Sequence, residues 1–204
     1  MLLYAIFLVA IVAEAMTGAM AAGRRDMDLF GVCFVACVTA LGGGSVRDVL
    51  LGHYPLSWVG HPEYIWFTAG AALAAALLAG VLRYLRVVFL LIDALGLVAF
   101  TLIGCNVALE AGHAATVVII SGLITGCFGG IMRDLFCGDV PLVFRHEMYA
   151  SISLLVGLAY VVLRHFEVPE GVAVVGCLIG GFCLRALAIR YDWHIPKFVY
   201  RDKP

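Results

Sequence analysis

The chain has 204 residues, 64% of them hydrophobic and 13% charged, with a formal net charge of -1. Soluble domains carry about 25% charged residues, and a mean hydropathy of +1.06 exceeds what a water-soluble core of this length buries, so the solvent is lipid. No Lys/Arg run is present that would hold nucleic acid.

A helical span needs about 20 mostly apolar residues, because the hydrocarbon core is about 30 Å thick and a helix rises about 1.5 Å per residue. The first apolar run, residues 2–22, lacks a basic leader and outlasts a signal-peptide core, so it reads as a mature span. Further spans follow over 28–51, 64–82, 87–109, 114–137, 147–164 and 171–189. All are too long and continuous for barrel strands. The expected fold is therefore an all-α integral membrane protein with seven transmembrane helices. Arg24, Arg25, Arg83, Arg86, Arg145 and the basic tail from Arg190 lie on one side, and Arg164 on the other. The positive-inside rule then puts the C-terminus in the cytoplasm and the N-terminus outside.

Within the second span, "GGGSVRDVLLG" (Gly42 to Gly52) interrupts the greasy pattern, and "GGIMRDLFCG" (Gly129 to Gly138) repeats it 86 residues later. The same offset aligns Gly18 with Gly104, Thr39 with Thr125 and Pro55 with Pro141. Such a match marks an internal duplication. Each unit holds an odd number of spans, so the second enters the bilayer upside down. The expected division is a three-helix repeat over 1–86, its inverted copy over 87–166, and a seventh helix with the tail over 167–204.

Inverted repeats commonly enclose a path near the midplane, lined by broken helices. Glycine costs a helix about 1 kcal/mol relative to alanine, so Gly42-Gly43-Gly44 and Gly129-Gly130 are the expected weak points. The same glycines also suit close helix packing, as in the stripe Gly122, Gly126, Gly130. A charge in the bilayer is paired or faces water. The pairs Arg47/Asp48 and Arg133/Asp134 thus either bracket a polar path or clamp spans two and five. Glu14 needs a partner or a cavity, and Asp93 reads as an interfacial partner of Arg83 and Arg86. Ser45, Thr17, Thr39, Thr101, Asn106, Ser121 and Thr125 are candidates to line the path, or to bond a carbonyl one turn earlier.

Other chemistry is poorly supported. The seven cysteines lie within apolar runs without any CxxC, the six histidines flank spans without ligand spacing, and no nucleophile motif or dinucleotide fingerprint occurs. No metal, cofactor or enzymatic activity is expected.

Two GG(G)xxRD copies in a seven-span chain resemble the prokaryotic branch of the TRIC family, the trimeric intracellular cation channels. "DALGLVAFTLIG" (Asp93 to Gly104) opens the second repeat, and the resemblance covers the whole chain. It implies a homotrimer in the bacterial inner membrane, with one pore per protomer between kinked second and fifth spans. It also implies permeation of monovalent cations, potassium chiefly and sodium with it. Carried over, the kinks fall at Gly42-Gly43-Gly44 and Gly129-Gly130, and the polar gate at Ser45, Arg47, Asp48, Arg133 and Asp134. The animal members carry a Lys-Glu-Val motif where this chain reads "GGIMRD".

Relatives of this family have also been described as resembling glycine transporters. A carrier for a small zwitterion fits the residues too: broken-helix amides and an arginine suit a carboxylate, and Asp48 or Glu14 an ammonium. No TVGYG-like filter is present, so a channel here is expected to select weakly among monovalent cations.

Overall fold

The computed structural model describes residues 2–78, 86–145 and 148–193, and these form nine helices. They are α1 (Leu2–Gly23), α2 (Leu29–Leu51), α3 (Ser57–Gly60), α4 (Glu63–Leu77), α5 (Arg86–Glu110), α6 (Ala115–Phe136), α7 (Leu142–Arg145), α8 (Tyr149–His165) and α9 (Glu170–Arg190). Five of them, α1, α2, α5, α6 and α9, are long and apolar enough to cross a bilayer. At 22 residues, α1 and α6 extend about 33 Å, enough for the hydrocarbon core. The shorter α4 and α8 are apolar as well. The far end of the expected third span (79–82), the start of the sixth (147) and the tail from 194 lie outside the described residues.

The long helices end where their sequences stop supporting them. Asp28 begins α2, accepting from the Gly31 amide at 2.7 Å, because a side-chain oxygen satisfies an otherwise unpaired first-turn donor. At the other end Gly52 takes a left-handed φ of 65°, and after α6 Gly138 takes 70°. That conformation costs a glycine nothing and closes a helix. The stretch after α2 and the stretch after α6 each contain a one-turn helix, α3 and α7.

Among the described residues two large apolar clusters hold the bundle, with a third, smaller one at Leu97, Cys127 and Tyr149. One joins α1, α2 and α4 through small residues, among them Ala10, Ala15, Ala36, Ala40 and Ala72, with Phe100 of α5. The other joins α5, α6, α8 and α9 through larger ones, among them Val98, Leu102, Val118, Ile152, Tyr160 and Val174. Lipid gives apolar surfaces little reason to associate, so close backbone approach matters more here than area. Accordingly α2 packs directly on α6. A Cβ on Gly43 would strike the Thr125 carbonyl oxygen, and one on Gly129 the Thr39 carbonyl oxygen. The reciprocity means that the two helices run in opposite directions where they cross.

One expectation is corrected here. Both α2 and α6 stay helical through Gly42–Gly44 and Gly129–Gly130, so these glycines do not break the helix to free its amides. Gly43 and Gly129 admit the neighbouring backbone instead.

Candidate functional site

Each crossing helix ends in an arginine–aspartate pair. At the end of α2, Asp48 is fully buried and Arg47 is 4% exposed. Asp48 Oδ1 accepts from Arg47 Nε (2.9 Å) and Nη2 (2.7 Å), and His53 Nδ1 lies 3.2 Å away. Its Oδ2 accepts from the Ser57 amide (3.1 Å) and hydroxyl (2.8 Å). The carboxylate therefore ties its own arginine to the first turn of α3, whose amides have no helical partner. Nearby, Trp58 Nε1 donates to Ser45 Oγ at 3.1 Å, while Ser45 donates to the Leu41 carbonyl.

The α6 end is built alike and then extended. Asp134 accepts from Arg133 Nε (2.8 Å) and from the Leu142 amide at the start of α7 (2.9 Å). Arg133, fully buried, also donates through Nη1 to Asp93 Oδ1 on α5 (2.6 Å) and to Thr17 Oγ1 on α1 (3.3 Å). Its guanidinium lies 5.1 Å from the centre of the Phe89 ring, a cation–π distance. Glu14, 3% exposed, sits one helical turn from Thr17, which hydrogen-bonds to it. A Cβ on Gly96 would overlap the Glu14 carboxyl, so that glycine makes its berth.

Asp93, expected to pair at the interface with Arg83 and Arg86, finds another partner among the described residues, which leave out Arg83 and the Arg86 side chain. It is fully buried and pairs with an arginine 40 residues away. A buried arginine must keep its anions close, because an ion stripped of water needs full compensation.

The structure gathers Glu14, Thr17, Arg133 and Asp134 into one group and Ser45, Arg47 and Asp48 into another. Thr39 and Thr125 lie between them at the glycine crossing. Gly44 and Gly130 each sit beneath an arginine: a Cβ there would lie 3.7 Å from Arg47 Nη2 and 3.6 Å from Arg133 Nη2. Gly42 faces the Met132 side chain. Most hydroxyls are already engaged on their own helices. Thr39 donates to Val35, Thr101 to Leu97 and Thr125 to Ser121, each at 2.7 Å. Ser121 donates instead across the bundle, to the Gly104 carbonyl of α5 at 2.8 Å.

Arg47 borders two cavities. One, of about 420 Å³, lies among α1, α3, α4 and α5, with Tyr4, Phe7, His53, His61, Tyr64 and Asn106 in its wall. The other, of about 280 Å³, lies between the end of α2 and the start of α6, beside Leu50, Val117, Ile120 and Ser121. The Arg47 side chain stands between them.

Several members of these groups were not picked out in the sequence. Ser57 and Trp58 belong to the α2 end. Tyr149 lies with its hydroxyl 3.2 Å from where a Gly130 Cβ would be, and Arg185, fully buried on α9, stacks 5.1 Å from the Tyr149 ring centre. Arg185 carried the one readable signal, a charge in an apolar run. His61 and Glu63, 3.0 Å apart at the mouth of the larger cavity, are exposed.

This arrangement has counterparts among known proteins. A family model described as Glycine transporter matches residues 4–80 and 90–165. The UPF0126 membrane protein of Vibrio cholerae is 35% identical over 97% of this chain and 83% of its own length. The UPF0126 inner membrane protein YadS of Escherichia coli is 32% identical over 97% of both. The solved TRIC trimeric intracellular cation channel orthologue from Rhodobacter sphaeroides superposes with a TM-score of 0.91 at 32% identity, over 94% of this chain and 99% of its own. Family and fold are those of a bacterial inner membrane channel or transporter rather than an enzyme. The chain belongs to the family that this glycine transporter model describes, alongside the UPF0126 membrane proteins, and to the prokaryotic branch of the TRIC channels.

Proposed function

We propose that the protein is a potassium-permeable channel for monovalent cations, assembled as a homotrimer with a separate path in each protomer along the α2–α6 contact. Arg47 carries the reading. A nearly buried guanidinium that borders cavities on two sides, held among the described residues by Asp48 and Ser57, is placed to open or close the space between them. Asp48 neutralises it, so it does not repel a cation as a bare charge would. The Arg133 group acts at the other end of the crossing. Path residues are Gly42, Gly43, Gly44, Ser45, Arg47, Asp48, Gly129, Gly130, Arg133 and Asp134, with Glu14, Thr17, Thr39, Thr125 and Ser121 beside them.

The architecture belongs to the same proposal: seven spans, two inverted three-helix units over 1–86 and 87–166, and a seventh helix over 167–204. Paired contacts support it. Gly18 faces Thr39 Oγ1 and the Val35 carbonyl, while Gly104 faces Thr125 Oγ1 and the Ser121 carbonyl, every residue shifted by the offset of the repeated motif. The N-terminus is assigned outside and the C-terminus to the cytoplasm from the basic residues. Gly70, Gly176 and Gly180 have nothing within 4 Å of a would-be Cβ. They offer smooth faces on α4 and α9 for neighbouring subunits.

The glycine transporter family description supports a second reading, a carrier for glycine. One preparation decides between them. In vesicles reconstituted with purified protein, potassium current and labelled glycine uptake are measured together. Single-channel steps carried by potassium, with no saturable uptake, establish the channel. Saturable glycine uptake with negligible current overturns it in favour of the carrier.

A further inference from the structure

Thr17 Oγ1 lies 2.9 Å from the Glu14 main-chain oxygen, 3.0 Å from Glu14 Oε2 and 3.3 Å from Arg133 Nη1. A threonine hydroxyl has one hydrogen to give and two lone pairs to receive with. Arg133 only donates and the main-chain oxygen only accepts. Thr17 therefore accepts from Arg133 and gives its single hydrogen to the Glu14 carbonyl. What remains for Glu14 Oε2 is a lone pair, so a hydrogen on Oε2 completes all three contacts at once, whereas a carboxylate has to share the single Thr17 hydrogen with the main-chain oxygen.

The surroundings agree. Among the described residues no Lys, Arg or His nitrogen lies within 4.0 Å of the Glu14 carboxyl. The helices packed on α1 are α2, α4, α5 and α6. From α5 comes Asp93, and from α6 come Arg133 and Asp134. Arg47 and Asp48 of α2, with Glu63 and Tyr64 of α4, stand around the larger cavity or its mouth at the opposite end group. Asp93 and Asp134 already share Arg133, so an ionised Glu14 would be a third carboxylate beside one guanidinium. Sharing the single Thr17 hydrogen between two acceptors would leave that anion half a donor, in a medium that does not solvate it.

We propose that Glu14 is a proton-binding site inside the bilayer, held as a carboxylic acid whose Oε2–H donates to Thr17 Oγ1. Release of the proton leaves a carboxylate. Thr17 then turns its hydrogen from the main-chain oxygen to Oε2, and Arg133 gains a third anion that competes with Asp93 and Asp134. Proton release at Glu14 thereby loosens the group at the end of α6. The site stands whatever permeates, since its readout is the carboxyl itself.

The test uses the full-length protein in phospholipid vesicles. N,N′-dicyclohexylcarbodiimide, an apolar reagent that adds to protonated carboxyls, is applied from acid to alkaline pH and the adduct mapped by peptide mass. Glu14 is expected to be labelled, more slowly as pH rises, and labelling at that peptide is lost in E14Q. Difference infrared spectra are expected to hold a carboxylic-acid carbonyl band that E14Q removes and T17V shifts without removing. Should E14Q not assemble, T17V alone decides: a shifted band supports the site, and an unchanged band overturns it. A wild-type protein with no such band and no Glu14 adduct at any pH also overturns the proposal.

Discussion

Gly129 meets the carbonyl oxygen of Thr39 so closely that a Cβ has nowhere to go. Backbone cannot swing aside as a flexible side-chain tip does, so G129A and G43A force α2 and α6 apart. The expected loss is about 1–3 kcal/mol or more, as for overpacked cores. G42A pushes only the end of Met132 and is milder. G44A meets ordinary contact distance and gains up to about 1 kcal/mol of helix propensity. Thermal unfolding of the four variants in detergent, followed by size-exclusion chromatography, gives the order; equal losses at Gly129 and Gly44 would refute the crossing.

Arg133 and Arg47 are expected to respond differently to glutamine. R133Q strands Asp93 and leaves Asp134 with the Leu142 amide, and breaking a buried pair costs about 3–5 kcal/mol. That variant is expected to assemble poorly. R47Q leaves Asp48 with the Ser57 amide and hydroxyl, so it assembles and changes flux instead. Yield of folded protein and flux in vesicles, measured on both, separate the roles.

Ser57 reports on the loop that follows α2. S57A removes one neutral donor from the Asp48 carboxylate and keeps the amide, so about 0.5–1.5 kcal/mol is expected. D48N is more severe because it also deprives Arg47 of its anion. Trp58, bonded to Ser45, serves as the probe. Its fluorescence is expected to shift toward the solvent-exposed range in D48N and little in S57A, with Trp66 and Trp193 replaced by phenylalanine.

The exposed Arg25–Asp139 ion pair links the α1–α2 turn to the loop after α6. The hydrogen bond from Arg25 to Asp139, and then the aspartate's charge, raise the guanidinium above its usual range. A raised value means that the guanidinium keeps its charge up to strongly alkaline conditions, so at neutral pH the pair is not lost by titration of Arg25. Salt is therefore what weakens it. Trypsin cleavage after Arg24 is expected to quicken as salt rises in the wild type. In D139N it is fast and insensitive to salt.

The long helices were legible because lipid demands length and continuity, and the runs at α1, α2, α5, α6 and α9 supply both. The short α3 and α7 were not, since four residues carry no periodicity and their first amides are satisfied by carboxylates eight or nine residues earlier. The repeated glycine–arginine–aspartate motif falls at the ends of α2 and α6, where the two ionic groups form. It did not give their partners. Asp93 was assigned to arginines near it in sequence, whereas the bundle brings it Arg133; only packing decides which cation reaches a buried anion. The glycines were legible as small and misread as breaks, because propensity is weak against a neighbouring helix that fills the space. Hydroxyls such as Thr39 and Thr125 proved to be bonded one turn back, the alternative that their residue type also permits.

The carboxylates of Asp48 and Asp134 each grip an arginine on one side and the first amide of the next short helix on the other. Lifting α3 away from α2, or α7 away from α6, would strand a charge in each case. Each helix end and its following turn are therefore bolted into a single rigid piece, and the freedom left to the two pieces is sliding or tilting at the glycine seam, where Gly43 and Gly129 meet backbone.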